Sequence, residues 1–437
     1  MRVLMLSDRS YATRERSMLF RLEVGLADEG VRVVHAVPRG CASAGDGSLS
    51  DGGGGKAFAG EEDGSSGPAG AGTSVLYAIE IEHDSTGWPL LRGAAAETLL
   101  ESIARAVELG GPGPSQPLVD VVHVFARDPA TLVFAAEVAR RAGSPALLEI
   151  GEPDLIETGA RLAYRARHGE PEAGGVVLLA ADEPMRAAIE RVGRSRRWEG
   201  SESPLARLVP WGVHATSGVF RERSGQEAGG PDTLALVGLE GNEEELRSVL
   251  AGAARLTAGG RELLLFMDSD ETSASGAWAM CRRLGLVERV TLVGGLECRR
   301  DLLLRAGVLA HPVARGRHRS VTLDAMASGM PVVARRDPMI EWLDDPGLVL
   351  HVAEPGGEND WARALDAAMR PDRGAGERIE RAFRYVSSRR QAHAHVRAVL
   401  DAYADAARRH RGTIGRIGLP SDPRGAGGGG GPGRGSR

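Results

Sequence analysis

The feature that most constrains the fold is an apolar run followed by a segment with helical spacing, repeated along the chain in two series. Val3 to Leu6 is typical of a buried parallel strand, residues 14–29 carry apolar side chains at helical spacing, and residues 31–37 form the next apolar run. Such βαβ units build parallel sheets. The series restarts at Thr233, after a Gly-, Glu- and Pro-rich stretch. The sequence therefore predicts an α/β protein with two Rossmann-like, doubly wound parallel-sheet domains that face a cleft.

The predicted division of the chain follows these two series. In chain order it comprises a first domain at 1–213, a linker at 214–231, a second domain at 232–370, a helical region at 371–412 and a tail at 413–437. The insertion at 41–73 and the Gly-rich tail offer little apolar surface to bury, so we expect both to lack regular structure. We expect the helical region to pack back on the first domain.

Net charge, cysteine spacing and the length of apolar runs restrict the partners, metal sites and location that we expect. The net charge of −5 provides no general attraction for nucleic acid. Cys41, Cys281 and Cys298 have neither the spacing of a zinc site nor that of a disulfide framework, so we expect no metal. The apolar run near Met1 is too short for a signal peptide, and no later run approaches the roughly 20 residues of a membrane span. We expect a cytoplasmic protein, with peripheral membrane association left open.

The most specific motif lies in the second domain, at residues 320–334. It reads S-V-T-L-D-A-M-A-S-G-M-P-V-V-A and resembles the segment G-x-x-x-x-E-A-M-A-x-G-x-P-V-V-A of glycosyltransferase family 4 and its GT-B relatives. Weaker matches follow the family order. They lie at residues 119–124, 208–214, 286–294 and 306–312. The chain thus resembles the GT-B glycosyltransferases over roughly residues 1–370.

The resemblance implies a nucleotide-diphospho-sugar donor bound between the domains, with no cofactor and no metal. The start of the helix at 320 would present unpaired N–H groups to the diphosphate, and Asp324 would accept a hydrogen bond from the ribose. The family transfers the sugar with retention to a glycan, a lipid or a small molecule. The donor-binding residues implied are Gly238, Gly294, Arg317, Arg319, Ser320, Val321, Thr322 and Asp324.

Two residues of the first domain are candidates for catalysis. His123 lies on a buried strand and would face the cleft as the family histidine does, although a structural histidine satisfied in the core is the alternative. Glu149 lies at the carboxyl end of a strand, where α/β sheets place ligands, so it is a candidate base or acceptor-binding group. Both residues stay candidates at this point.

The chain also departs from the family at catalytic positions. The first acid of the family's E-x7-E pair is Gly316, within the basic loop 315–319, and an acidic stretch at 240–245 replaces a basic pair. Residues 11–16 replace a glycine pair, and Gly151 replaces a histidine. Two functions stay open. The chain either transfers a sugar with arginines of the 315–319 loop neutralising the diphosphate, or is an inactive homologue that acts as a binding or scaffold subunit.

Overall fold

The chain forms two parallel sheets, each covered by helices. The computed structural model describes residues 1–38, 41, 77–81, 89–107, 118–168, 175–195, 206–215, 232–240, 242–353, 355–370 and 373–416. Within these residues the sheets have seven and six strands. The predicted fold class is confirmed. The predicted insertion at 41–73 lies outside the described residues except for Cys41, which is buried.

The first sheet has the strand order β3-β2-β1-β4-β5-β6-β7. Its strands are β1 (Arg2–Ser7), β2 (Arg32–Pro38), β3 (Tyr77–Ile81), β4 (Val121–Phe125), β5 (Ala146–Ile150), β6 (Val176–Ala180) and β7 (Ala206–Leu208). The helices among them are α1 (Arg9–Arg14), α2 (Arg16–Asp28), α3 (Pro89–Val107), α4 (Pro129–Ala142), α5 (Ile156–His168) and α6 (Glu183–Ser195). Because all these strands pair in parallel, their carboxyl ends lie along one edge of the sheet.

The second sheet has the strand order β10-β9-β8-β11-β12-β13, again with parallel pairing. Its strands are β8 (Asp232–Leu236), β9 (Leu263–Asp268), β10 (Val290–Val293), β11 (Val308–His311), β12 (Val332–Ala334) and β13 (Leu350–His351). Its helices are α7 (Glu243–Ala258), α8 (Ser269–Ser275), α9 (Ala277–Arg283), α10 (Arg300–Leu303), α11 (Ser320–Ala327), α12 (Glu341–Asp344) and α13 (Glu358–Met369).

Strand β1 shows why the apolar runs form central strands. Val3 and Met5 lie in one core cluster, whereas Leu4 and Leu6 lie in another on the opposite face of the sheet. Alternate side chains of a strand point to opposite faces, so a strand covered on both sides needs an uninterrupted apolar run. The cluster that contains Val3 continues into the second domain, so a shared apolar layer joins the two domains.

The C-terminal helices are α14 (Arg373–Arg389) and α15 (Ala392–Arg416). Helix α15 contacts α2, β4 and β5 of the first domain. It runs to Arg416, past the predicted start of the tail at 413. Residues 417–437 lie outside the described residues. Over the described part of the chain, none of the helices combines the length and the apolar character needed to cross a membrane.

The helical spacing at residues 14–29 is interrupted near its start. Arg14 ends α1, Glu15 is non-helical, and α2 begins at Arg16. Helix α9 begins at Ala277, because Gly276 has φ 73° and ends α8. A left-handed glycine commonly ends one helix before the next element. The first break places Glu15 at the cleft.

Candidate functional site in the interdomain cleft

Helix α11, which carries the most specific motif, begins at the cleft between the two sheets. The N–H groups of the first turn of a helix have no partner within the helix and carry partial positive charge. Arg319, which precedes the helix, makes no side-chain cap, and every residue from Ser320 to Ala327 is buried. The start of α11 is therefore a buried hydrogen-bond donor site that requires an acceptor.

A carboxylate from the first domain fills this donor site. The N–H of Ser320 donates to both carboxylate oxygens of Glu15, at 3.3 and 3.2 Å, and the Ser320 hydroxyl donates to Oε2. Glu15 is fully buried. A residue that precedes a helix commonly caps it with its own side chain, but Glu15 makes no such cap on α2. Its side chain crosses the cleft instead.

Asp324, the predicted ribose acceptor, is held by an arginine from each domain. Its two oxygens accept hydrogen bonds from Arg21 Nη1 and Nη2 of α2, at 3.0 and 3.1 Å. Arg300 Nε of α10 lies 2.8 Å from Asp324 Oδ2, and Arg300 Nη2 donates to Ser320 Oγ at 2.9 Å. The side chain of Asp324 is 7% exposed. Both carboxylate oxygens of Asp324 thus already contact arginine side chains.

A set of charged side chains, which we name the cleft ion cluster, fills the neighbouring part of the cleft. Its members are Arg14, Arg127, Arg317, Arg319, Glu152, Glu240, Glu271 and Glu297. All four arginines form ion pairs with Glu240, which follows β8. Glu152 of the first domain lies 2.7 Å from Arg127 Nε and 3.2 Å from Arg317 Nε. The cluster therefore neutralises its arginines with the protein's own carboxylates.

Arg319 is the buried centre of this cluster. Burial lowers its pKa, but the carboxylates of Glu297 and Glu271 outweigh that effect and raise it above its usual range. Burial raises the pKa of Glu297 to about 7, against the opposing effect of Arg319. Burial also raises the pKa of Glu271, yet Arg319 and Arg14 hold it below its usual value. Arg319 is therefore charged and committed to buried acids.

The remainder of the 315–319 loop also makes contacts across the cleft. Arg315 is exposed and has φ 50°. Gly316 has φ 73°, and a Cβ atom there would lie 2.5 Å from Pro153 Cγ of the first domain. A glutamate at this position would therefore clash, which explains physically why the first acid of the E-x7-E pair is absent. At Gly316 the loop thus lies close against Pro153 of the first domain.

His318, which lies next to Arg317 and Arg319 in the chain, contacts two residues of the first domain. Its Nε2 lies 2.8 Å from Asp182 Oδ2, and its Nδ1 lies 3.2 Å from the Gly151 carbonyl oxygen. Burial lowers the pKa of His318, but Asp182 and the Gly151 carbonyl outweigh it, so the pKa is raised. Both ring nitrogens face acceptors, as suits an imidazolium that donates two hydrogen bonds. Asp182 also accepts the N–H of Glu341 at 2.9 Å.

Of the other predicted donor-binding residues, Thr322, Val321 and Gly238 are buried, whereas Gly294 is exposed. Thr322 donates to the Arg319 carbonyl oxygen and accepts from Trp342 Nε1, each at 2.8 Å, and Val321 lies in the apolar core. Gly238 has φ 70°, and a Cβ there would lie 2.8 Å from the ring of His311. Gly294 follows β10, and a Cβ there would lie 3.6 Å from Ser269 Oγ.

The two catalytic candidates lie in the core of the first domain, and we name them the core pair. His123 and Glu149 are each fully buried, and His123 Nε2 lies 3.4 Å from Glu149 Oε1. His123 Nδ1 is 2.8 Å from the hydroxyl of Tyr403 on α15. Neither carboxylate oxygen of Glu149 has a hydrogen-bond partner among the described residues. The structure therefore brings the pair together under α15.

Sequence reasoning missed several residues of the cleft. Glu15 lies within the segment that replaces the family's glycine pair. Arg319 is a predicted donor-binding residue, and it puts a charged side chain where the resembled motif begins with glycine. Glu271 and Glu297 follow β9 and β10, at the sheet edge where ligands bind in α/β proteins. The residue types and their positions at the sheet edge are visible in the sequence, but the ion pairs that they form are not.

Over the described residues, no group of three or more His, Cys, Asp or Glu side chains is placed to hold a metal ion.

Comparison with known proteins gives the fold. No protein-family model and no curated protein sequence matches the chain. Among solved structures, sucrose-phosphate synthase from Thermosynechococcus elongatus is 13% identical with a TM-score of 0.61, covering 93% of this chain and 98% of that one. HepE from Anabaena, solved with UDP and glucose, is 12% identical with a TM-score of 0.58, covering 93% and 100%.

A further solved structure agrees with these two. The α,α-trehalose 6-phosphate synthase from Burkholderia multivorans is 14% identical with a TM-score of 0.57, covering 94% of this chain and 98% of that one. The matches extend over nearly the whole of each chain, so they include both domains. The chain therefore has the GT-B fold of the glycosyltransferases, and the predicted resemblance is confirmed at the level of the fold.

Proposed function

We propose that this GT-B-fold chain is a catalytically inactive glycosyltransferase homologue that serves as a binding or scaffold subunit. The cleft ion cluster is the observation that carries the proposal. Transfer from a nucleotide sugar requires cationic or dipolar groups that stabilise the leaving diphosphate. Here each arginine of the cluster is ion-paired with a glutamate, and Glu240 stands where the resembled family has a basic pair. The cleft offers a diphosphate a balanced network rather than an excess of cations.

The surroundings of Asp324 support the same proposal. A ribose hydroxyl that bonded this carboxylate would have to displace Arg21 or Arg300, which hold it from the two domains. Hydrogen bonds to charged groups are worth about 1.5–3 kcal/mol each. A donor nucleotide would lose that stabilisation before it gained its own contacts, which opposes binding.

Retaining transfer from a nucleotide-diphospho-sugar is the rival function, with a glycan, a lipid or a small molecule as acceptor. One observation favours it, because Ser320 and Asp324 stand on the motif helix with their polar groups toward the cleft. HepE, which shares the fold, has been solved with UDP and with UDP-glucose. Under this rival the domains separate, the contacts of α11 break, and a donor replaces them.

Calorimetric titration followed by a turnover assay separates the two functions. The full chain is titrated with UDP, GDP, ADP and their glucose conjugates at concentrations up to about 1 mM, the upper range of typical KM values. Release of free sugar and of nucleotide is then measured. We expect neither binding heat nor turnover. Turnover that is lost in Asp324→Asn but retained in the exposed control Asp301→Asn would establish transfer and contradict the proposal.

A further inference from the structure

We propose that Glu15 is a tethered anion whose carboxylate occupies the anion-binding start of α11 and holds the two domains closed without any nucleotide. This inference deepens the proposed function, and it rests on taking the start of α11 as the place where the resembled family binds a diphosphate. It assigns to the segment between α1 and α2 the role of an internal ligand.

The contacts of Glu15 are those of a bound anion. Its two oxygens accept the Ser320 N–H, and Oε2 also accepts the Ser320 hydroxyl. Hydrogen bonds to an ionised acceptor are roughly twice as strong as neutral ones. A phosphate oxygen at a helix start accepts the same two kinds of donor, a backbone N–H and a hydroxyl. A carboxylate therefore satisfies the donors that a diphosphate would otherwise satisfy.

The surroundings favour negative charge at this point. Arg300 Nη2 donates to the same Ser320 hydroxyl at 2.9 Å, and Arg300 Nη1 is buried with no hydrogen-bond partner among the described residues. Glu15 is one of the carboxylates that raise the pKa of Arg319. The start of the helix adds its own partial positive charge. The site thus retains a donor that the carboxylate of Glu15 does not use.

The backbone holds Glu15 ready for this contact. Its N–H donates to the Tyr11 carbonyl oxygen at 3.0 Å, and its carbonyl oxygen accepts the N–H of Leu19 at 2.9 Å. The end of α1 and the start of α2 thereby fix the residue. Because the backbone is already fixed, only the side-chain torsions of Glu15 are ordered when it reaches Ser320, so the internal contact has an advantage over a free ligand.

Neighbouring residues of α2 cross the cleft in the same direction. Ser17 Oγ donates to the Cys298 carbonyl oxygen at 3.4 Å, and Arg21 holds Asp324 with two hydrogen bonds. The start of α2 is therefore joined to the second domain at successive turns. Glu15 is the member of this row that takes the place of the ligand, so its removal should both open the anion site and weaken the domain contact.

The test uses inorganic pyrophosphate as the probe and two variants of the full chain. Glu15→Ala removes the carboxylate, Glu15→Gln keeps the size but removes the charge, and Glu29→Ala is the exposed control at the end of α2. Calorimetry measures pyrophosphate affinity, and small-angle scattering measures the radius of gyration. We expect Glu15→Ala to bind pyrophosphate at least about tenfold more tightly than the wild type. Its radius should increase without pyrophosphate and return to the wild-type value with it.

Three results would overturn the inference. They are equal pyrophosphate affinity in the wild type and both Glu15 variants, tight binding by the wild type, and an unchanged radius of gyration in Glu15→Ala and Glu15→Gln. If Glu15→Ala fails to fold, the comparison rests on Glu15→Gln, for which a smaller gain in affinity is expected because the amide still occupies the space. Pyrophosphate carries no sugar, so this result is independent of the turnover assay that tests the proposed function.

Discussion

The cleft ion cluster is partly buried and the core pair is fully buried, and the charges of these two groups of ionisable side chains are compensated in different ways. In the cluster, Glu271 is held by Arg14 and Arg319 and accepts the N–H of Leu239. In the core pair, the oxygens of Glu149 have no hydrogen-bond partner among the described residues, and His123 Nε2 is the nearby polar atom, at 3.4 Å. Every acid of the cluster thus has an arginine partner, although Glu152 Oε1, Glu240 Oε1 and Glu297 Oε2 lack a hydrogen bond among the described residues. The acid of the core pair has a histidine beside it and no arginine partner among the described residues.

This difference indicates what each region contributes. Opposite charges supplied by both domains make the cluster a structural contact, which favours a closed cleft over a donor site. A buried polar group without a partner adds no such stabilisation and costs desolvation energy.

The largest effect is expected for Arg319→Met. This change leaves Glu271 and Glu297 buried without their shared cation, and removing one partner of a buried ion pair costs about 3–5 kcal/mol. The free energy of unfolding, measured with urea, should fall by that amount. Arg315→Gln, in the same loop but exposed, should change it by less than about 0.5 kcal/mol. Similar small losses in both variants would mean that the cluster has no structural role.

A smaller effect is expected when the acids of the two regions are compared directly. Glu271→Gln weakens the contacts to Arg14 and Arg319 and should cost about 1.5–3 kcal/mol. Glu149→Gln leaves no arginine unpaired and should change the free energy of unfolding by no more than about 1 kcal/mol. Equal losses in the two variants would erase the distinction between the regions.

The smallest effect concerns pH and Glu297. Burial raises the pKa of Glu297 to about 7 from an ordinary 4.5, so its contribution to stability is full below pH 4.5 and is lost as pH rises through about 7. Glu297→Gln removes this dependence. Between about pH 6 and pH 8, its stability relative to the wild type should therefore rise by about 1 kcal/mol. The exposed control Glu288→Gln should show no such trend, and a parallel pH profile for Glu297→Gln and the wild type would contradict the raised pKa.

The fold was predictable because it depends on local patterns. The apolar run at Val3 to Leu6 and the motif at 320–334 each indicate their elements without reference to the rest of the chain. The break at Glu15 was missed because the apolar spacing of α2 continues smoothly from the preceding residues. Strand and helix patterns thus indicate the two domains and the helix that starts at residue 320, where α11 begins.

The cleft contacts were less predictable because they join distant parts of the chain. Glu15 and Ser320 are 305 positions apart, and their contact depends on how the two domains approach each other. The sequence shows that Arg319 replaces a glycine and that Glu15 lies in the segment replacing a glycine pair, but does not show which partners these side chains contact. His123 illustrates the same limit, because only the position of α15 and its Tyr403 reveals that the histidine is covered.

The most direct test of the central claim is a crystal structure of the full chain grown with UDP at several millimolar. The account predicts that the Glu15 carboxylate still accepts the N–H and hydroxyl of Ser320 and that no phosphate density lies at the start of α11. A diphosphate bonded to Ser320, with the Glu15 side chain turned away and the cleft opened to admit it, would contradict the account.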